Sequence, residues 1–250
     1  MKYNFVVQPM NRFDATEFVQ RYHYSKVMPK LTKYFLGIYN ENNLVGVLTL
    51  GWGTQPLQTI KKMFPMCVTK DYYEIGKMCM HPDMPRNSES QMLSVIIKWI
   101  KDNCPEIKYL YTWADGIVGK PGYVYQAANF YYGGFIWTDI YLSAEGEKIH
   151  PRTTRKLCEE NAKLLNVKKI YWLTFDFMKL KGLKKIKGKQ FRYIMPLTKK
   201  LTKKLNENST INWTRNYPKH GDLVWKEMIG EKKYKIMDEI PKFNTNVTQY

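Results

Sequence analysis

The chain has 250 residues, which allows one large domain or two small ones, and its 44% of hydrophobic residues is enough to bury a core. The net charge is +18, from 40 basic and 22 acidic residues, and this favours a polyanionic partner. The sequence shows neither a membrane-spanning apolar run nor a signal-peptide core, and its four cysteines lack metal-ligand spacing. We therefore expect a reduced, cytoplasmic protein that does not enter membranes.

The first 81 residues predict a helix, a hairpin and a strand. Asp14–Arg21 predicts a short helix. Two β-rich runs, Phe35–Tyr39 and Leu44–Leu50, flank the turn-forming Asn40–Asn43 and predict the hairpin. Tyr72–His81 predicts the next strand.

The middle of the chain alternates between helical and strand patterns. Apolar residues at helical spacing over Leu93–Ile100 predict a helix, and Ser88–Gln91 reads as a capping box with Ser88 as the N-cap. Ile107–Trp113 predicts a strand, Val124–Tyr132 a short helix closed by two glycines, and Phe135–Leu142 another strand. This order predicts an α+β fold, a mixed β-sheet flanked by helices.

The last part of the chain is basic. Thr153–Leu165 predicts a helix, and Phe191–Leu197 predicts a strand inside Lys179–Lys204, a segment with 11 basic residues and no acid. We predict a catalytic domain over 1–175, a basic extension over 176–225 packed on it, and a polar tail over 226–250. The predicted DNA-phosphate contacts are Lys26, Arg152, Arg155, Lys184, Lys185, Lys187, Lys189 and Arg192.

The loop that enters the helix after residue 87 is a candidate anion site. A helix N-terminus offers free backbone N–H groups, and Arg86, Ser88 and Ser90 add side-chain donors for a phosphate or pyrophosphate. The alternative is plain helix capping by Ser88, which needs no ligand.

Two sets of motifs carry a family resemblance. The strand, loop and helix around Arg86–Ser90, with the later Ala128–Phe135, resemble the GCN5-related N-acetyltransferase fold, although the usual glycine-rich loop is replaced here. The order of several further segments resembles the phage Mom DNA-modification proteins over roughly residues 15 to 220. These segments are Tyr22–Lys26, the Tyr34–Val47 hairpin, Trp113–Gly116, His150–Thr153, Phe191–Ile194 and Asn216–Lys219.

The resemblance implies a transferase that places a carbamoylmethyl group on N6 of adenine in duplex DNA and so protects phage DNA from host restriction. It also implies acetyl-coenzyme A, or a related acyl or glycyl donor, held by Arg86, Asn87, Ser88, Ser90, Tyr125 and Tyr131. The donor stays open among a coenzyme A thioester, a glycine-derived compound and a metal-assisted route.

The chemistry requires a base and access to a stacked purine. His23, Asp115 and Asp139 are candidate bases for the N6 proton, and Tyr24 is a candidate wall for an adenine flipped out of the duplex. His23 with Asp139 is also an acceptable ligand pair for Fe(II).

Two other functions fit the same residues. One is an N-acetyltransferase acting on RNA, a small amine or a protein. The other is a nucleic-acid binder without catalytic activity, which would explain the charge and the unusual loop without a cofactor.

Overall fold

The computed structural model describes residues 3–149 and 151–243, with the backbone alone at Pro151 and Arg152. The chain forms two compact units that interleave along the sequence. The first consists of Met1–Ala114, Gly122–Phe135 and Phe191–Pro218. The second consists of Asp115–Pro121, Ile136–Gln190 and Lys219–Tyr250.

The described part of the chain contains seven α-helices and nine strands. The helices are α1 Arg12–Tyr22, α2 Pro56–Met63, α3 Ser88–Asn103, α4 Tyr123–Ala127, α5 Pro151–Leu164, α6 Phe175–Leu180 and α7 Lys199–Lys203. The strands are β1 Val6–Pro9, β2 Leu31–Asn40, β3 Asn43–Trp52, β4 Tyr72–Met80, β5 Tyr109–Asp115, β6 Tyr131–Leu142, β7 Lys184–Pro196, β8 Trp225–Gly230 and β9 Lys233–Met237.

The first unit is built on a mixed sheet. Its strand order is β1-β2-β3-β4-β5-β7, and β6 also pairs with β7. The pairs from β1 to β4 are antiparallel, whereas β4 and β5 are parallel. The predicted hairpin is confirmed: β2 and β3 meet at Glu41 and Asn42, whose left-handed φ angles of 49° and 67° suit a two-residue turn.

Helices cover both faces of this sheet. Tyr72 and Tyr73 point to opposite faces because successive strand residues alternate. Tyr72 packs in an apolar cluster with Ile60 of α2, whereas Tyr73 contacts the ring of Tyr34, which in turn contacts Trp99 of α3. The α+β class with a helix-flanked mixed sheet is therefore confirmed.

Three local predictions are corrected. The N-cap of α3 is Asn87 rather than Ser88, because the chain enters the helix through a left-handed turn with φ of 73° at Asn87. The helix predicted over Val124–Tyr132 ends at Ala127, since Asn129 adopts φ of 61°. The two glycines that follow it do not close a helix, because they lie inside β6, which already begins at Tyr131.

Part of the predicted extension lies in the core of the first unit. Trp213 is 2% exposed and packs against Phe64, with its ring 6.1 Å from that of Phe64. Its indole N–H donates to Ser209 Oγ at 2.8 Å, and Asn206 binds its backbone N–H. The segment after α7 thus completes a core that begins more than 140 residues earlier, which no local pattern reveals.

The boundary between the units divides β7 after Gln190. The second unit contains the first part of β7, which belongs to the antiparallel order β7-β8-β9, together with α5 and α6. The polar tail expected from residue 226 is instead a hairpin as far as Met237. Trp225, which is buried, anchors the hairpin by donating from Nε1 to the carbonyls of Gly116 and Ile117. The boundaries expected at residues 175 and 225 do not coincide with the edges of the two units. In the described chain, no helix has the length and apolarity of a membrane span.

Candidate active site

The parallel strands β4 and β5 separate midway along their length. They pair at Tyr72, Tyr73 and Glu74, but β4 continues to Met80 without a described partner on β5. The register between β3 and β4 shifts just beyond Glu74, leaving Gly76 as the bulged residue. A Cβ at Gly76 would lie 2.5 Å from Pro29 Cγ, so the close approach of Pro29 to the strand requires glycine. Bulges of this kind often redirect a strand beside an active site.

Glu74 lies where the strands separate, and sequence reasoning missed it. Its side chain is half-buried, and partial loss of solvent raises the pKa of Glu74 to about 7, although the backbone N–H of Gly53 counteracts this by binding the carboxylate. A carboxyl group with a pKa near neutrality can accept or donate a proton at physiological pH. A signal was available: Glu74 is the one carboxylate in a strand that is mostly apolar, an argument close to the one that drew attention to Asp139.

Polar and aromatic groups surround Glu74. Tyr111 is its partner on β5, and burial raises the pKa of Tyr111. Arg192 on β7 interacts electrostatically with Tyr111, donates to the carbonyl of Gly133 at 3.1 Å, and places its guanidinium 5.2 Å from the ring of Trp113. Arg192, predicted as a phosphate contact, therefore packs against aromatic side chains of β5.

His23 and Tyr24 lie in the segment that follows α1. Ser25 N–H donates to His23 Nδ1 at 2.9 Å, and the rings of His23 and Tyr24 stack at 4.4 Å. Lys77 of β4 donates from Nζ to the carbonyl and the hydroxyl of Ser25, each at 2.8 Å. Strand β4, which carries Glu74, thereby fixes the segment holding both predicted residues.

The loop before α3 enters the helix through a left-handed residue and has few spare side-chain donors. Ser88 is buried and its hydroxyl donates to the carbonyl of Pro85, whereas Ser90 donates to that of Asn87. Arg86 is exposed. Asn87 adopts the left-handed conformation that a glycine-rich loop would otherwise supply, and the N–H of Ser88 donates to the carbonyl of Pro85 at 3.2 Å.

The two tyrosines predicted beside this loop lie in different surroundings. Tyr125 is buried, accepts a hydrogen bond from Thr112 Oγ1 at 3.2 Å and packs against Tyr193. Tyr131 is half-buried on β6, with the guanidinium of Arg215 4.8 Å from its ring. Of the two, Tyr131 has the more accessible ring.

The second unit brings Asp115 and Asp139 to one cavity of about 340 Å³, which Lys148 and Thr154 also line. Asp115 caps a short turn by accepting the N–H of Ile117 at 3.2 Å. Asp139 accepts from Lys185 Nζ at 2.9 Å. Two carboxylates predicted from separate strands thus share a cavity.

The four lysines of β7 are engaged within the second unit. Lys184 faces Glu227 at 3.8 Å, Lys187 lies 3.9 Å from Asp139 and 4.5 Å from the ring of Tyr234, and Lys189 donates to the carbonyl of Asp222. Lys185 is buried against Asp139. Because these lysines already have partners within their unit, sequence charge alone overstates what they offer to a phosphate. Lys26 is half-buried and Arg155 exposed, and the side chain of Arg152 lies outside the described residues.

We expect Asp139→Asn to lower the free energy of unfolding by about 1–2 kcal/mol, because it removes the carboxylate from a buried lysine. Burial alone lowers the pKa of Lys185, but its hydrogen bond to Asp139 raises it above the ordinary value. Urea unfolding at pH 7 measures the effect. Adding Lys185→Met should recover most of the loss. An unchanged midpoint for Asp139→Asn would show that the pair adds no stability.

Residues 3–149 and 151–243 contain no cluster of three or more histidine, cysteine, aspartate or glutamate side chains arranged to hold a metal. The predicted pair is divided, with His23 in the first unit and Asp139 in the second.

Comparison with known proteins identifies the relatives of this chain. It is 29% identical over 202 residues to the methylcarbamoylase Mom of Escherichia phage Mu, covering 80% of this chain and 78% of that protein. Among solved structures, AAC(6')-Ib with paromomycin and acetyl-CoA matches 53% of this chain and 85% of its own at 9% identity and a TM-score of 0.41. An N-acetyltransferase from Staphylococcus aureus Mu50 matches over 77% of this chain and 97% of its own chain, with 14% sequence identity and a TM-score of 0.40. The sequence also matches the Mom protein family over residues 4–219, and the chain belongs to that family.

Proposed function

We propose that this protein is a transferase that modifies adenine in duplex DNA, attaching a carbamoylmethyl group to N6 and so protecting phage DNA from host restriction. The family match over residues 4–219 carries the proposal. The relative in phage Mu bears the name methylcarbamoylase, which supports a group-transfer reaction. The net charge of +18 supports a polyanionic substrate.

The chain's own part in the reaction is proton transfer and positioning. The N6 nitrogen must lose a proton as its bond to the incoming carbon forms. Glu74, with a pKa of about 7, is the base best suited to accept it. His23, Asp115 and Asp139 remain candidates for the same role or for positioning, and Tyr24 remains a candidate wall for the flipped base.

An acyl-coenzyme A or a related donor would bind at the start of α3. Arg86 and the N–H groups of the first turn fit its phosphates, because α3 is 16 residues long and the left-handed Asn87 opens the loop. Attack by N6 on a thioester carbonyl would release the thiol and leave an amide, whereas the carbamoylmethyl product requires a donor that carries its leaving group on the methylene carbon. Tyr131 is the remaining proposed contact, because the hydroxyls of Ser88 and Ser90 already donate to backbone carbonyls of the loop.

Nucleoside mass spectrometry on DNA from cells expressing the protein tests this function. We expect a deoxyadenosine species heavier by one carbamoylmethyl group in place of hydrogen. An acetyl adduct would instead indicate ordinary acetyl transfer to DNA. Unmodified DNA from cells that also carry the other phage genes would refute DNA modification and favour an RNA, amine or protein substrate, or binding without catalysis.

A further inference from the structure

The second unit presents a basic and aromatic surface that the proposed chemistry does not use. It consists of the exposed side of α5 and the loop that follows, and we call it the α5 surface. It contains a groove of about 660 Å³. The residues that define it here are Arg155, Lys163, Lys168, Lys169, Tyr171 and Trp172, all of them exposed.

The cations of this surface are available to a ligand. Four basic side chains and a single acid, Glu159, lie along the groove. No ion pair to Arg155, Lys163, Lys168 or Lys169 occurs within the described chain. The lysines of β7 differ, because each of them contacts an acid or a carbonyl group of its own unit. These four positive charges therefore have no acidic partner within the described residues.

Two large aromatic side chains project from the same loop. Tyr171 is 76% exposed and Trp172 is 54% exposed, whereas their neighbours Ile170 and Leu173 are buried. Lys169 Nζ lies 4.8 Å from the ring of Tyr171, which joins charge and ring in one patch.

The loop is fixed to the body of the unit. Asn161 of α5 is 1% exposed, and its Oδ1 accepts from the hydroxyl of Thr174 at 3.1 Å, just after the aromatic pair. Leu173 packs with Cys158 of α5 in the core of this unit. The two exposed rings are therefore held in place by buried residues on either side, and little ordering is needed when they bind.

We propose that the α5 surface binds DNA: Arg155, Lys163, Lys168 and Lys169 contact backbone phosphates, and Tyr171 and Trp172 stack on bases. The choice of DNA rests on the proposed function. Phosphate contacts fix the position of a protein on a duplex, and exposed aromatic side chains stack on bases that leave the helical stack. An enzyme that extrudes an adenine must stabilise the opened duplex, and this surface supplies both kinds of contact.

Fluorescence anisotropy with a labelled duplex, measured over a range of salt concentrations, tests the phosphate contacts. The triple variant Lys163→Gln, Lys168→Gln, Lys169→Gln should bind at least about tenfold more weakly. The salt slope, meaning the steepness with which the logarithm of the binding constant falls with the logarithm of the salt concentration, should decrease by about 2–3, one unit per lost phosphate contact. The matched control neutralises three exposed lysines of α7 in the first unit, with Lys199→Gln, Lys200→Gln and Lys203→Gln. It removes the same charge and should leave the slope within one unit of the wild type.

The double variant Tyr171→Ala, Trp172→Ala tests stacking. It should weaken binding about tenfold to a duplex with an unpaired adenine, with an unchanged salt slope, because stacking is largely independent of salt. Phe13→Ala, which removes a ring that is 78% exposed in the first unit, is the control. Urea midpoints confirm that each variant remains folded.

Four results would overturn the proposal. They are wild-type affinity for both surface variants, equal weakening by the α7 control, no binding of duplex DNA by the purified protein, and tighter binding to duplex RNA of the same sequence. The first two leave DNA modification intact, since nucleoside mass spectrometry measures it independently. Modified DNA together with an inert α5 surface would therefore mean that another part of the chain holds the duplex.

Discussion

Replacing Glu74 by glutamine is expected to slow adenine modification by about 10²- to 10⁴-fold, the usual contribution of a positioned acid or base. Glutamine preserves the shape of the side chain and can still bind the N–H of Gly53, but it cannot accept the N6 proton. Mass spectrometry of nucleosides, quantified over time with a fixed duplex, measures the rate. DNA affinity by anisotropy should be unchanged, because the substitution keeps the size of the side chain and alters none of the basic residues proposed to hold the duplex. Glu106→Gln, at an exposed acid of the same unit, is the matched control and should retain full activity.

The pH dependence provides a second test of Glu74. Since its pKa is about 7, the carboxylate form is lost as the pH falls through 7, and the wild-type rate should drop about tenfold for each further pH unit. Modification by Glu74→Gln at wild-type rate would transfer the role of base to His23, Asp115 or Asp139. A pH–rate profile of the wild-type protein without a break near pH 7 would also assign the role of base to one of these three residues.

The stability of the protein reports on the same group without any substrate. The folded-state pKa lies above the ordinary value of 4.5, so the folded state holds the proton more tightly between about pH 4.5 and 7. Stability should therefore decline as the pH rises through this window. Glu74→Gln should remove that decline and raise the free energy of unfolding at pH 8 by on the order of 3 kcal/mol. A variant that is less stable than the wild type at pH 8 would show that the carboxylate is not destabilised by burial.

Replacing Trp213 by alanine is expected to lower the free energy of unfolding by about 3–5 kcal/mol, the usual cost of emptying a large aromatic site. Trp213 packs with Phe64 and carries the hydrogen bond to Ser209, and a Cβ at Gly133 would lie 2.2 Å from its ring. Loss of this side chain therefore leaves a cavity between α2 and β6. Urea denaturation followed by circular dichroism measures the change.

A conservative variant keeps this prediction testable if the alanine variant does not fold. Trp213→Phe fills most of the volume but loses the hydrogen bond to Ser209, and we expect a loss of about 1–2 kcal/mol. Trp172→Ala is the control, because Trp172 is exposed and should cost less than about 0.5 kcal/mol. A small effect of Trp213→Ala would mean that the segment after α7 is an addition to the domain, as the sequence first suggested, rather than part of its core.

Local patterns were sufficient to predict most helices and strands. The spacing of Leu93 and Ile100 predicted α3, and the polar run between two β-rich segments predicted the β2–β3 turn, because both signals depend on residues adjacent in the chain. They were insufficient where tertiary contacts decide the outcome. The hairpin β8–β9 has short strands that mix charged and apolar residues, and its place is determined by the burial of Trp225 against carbonyl groups more than 100 residues away.

The candidate site divides in the same way. Sequence alone selected Asp139, His23 and the loop before α3, because an isolated acid, a histidine and a helix start are visible in one dimension. It did not distinguish Glu74 from a surface acid, because the shift in its pKa comes from burial where β4 and β5 separate.

Composition and motif order determined the broad nature of this protein: a basic α+β protein with the segment order of a DNA-modification family. Only the tertiary structure decided which charges are available. It pairs the lysines of β7 with acids and carbonyls of their own unit and leaves those beside α5 exposed, although both groups look alike in sequence. The physical reason is that charge is a property of the residue, whereas desolvation and pairing depend on neighbours that only folding brings together.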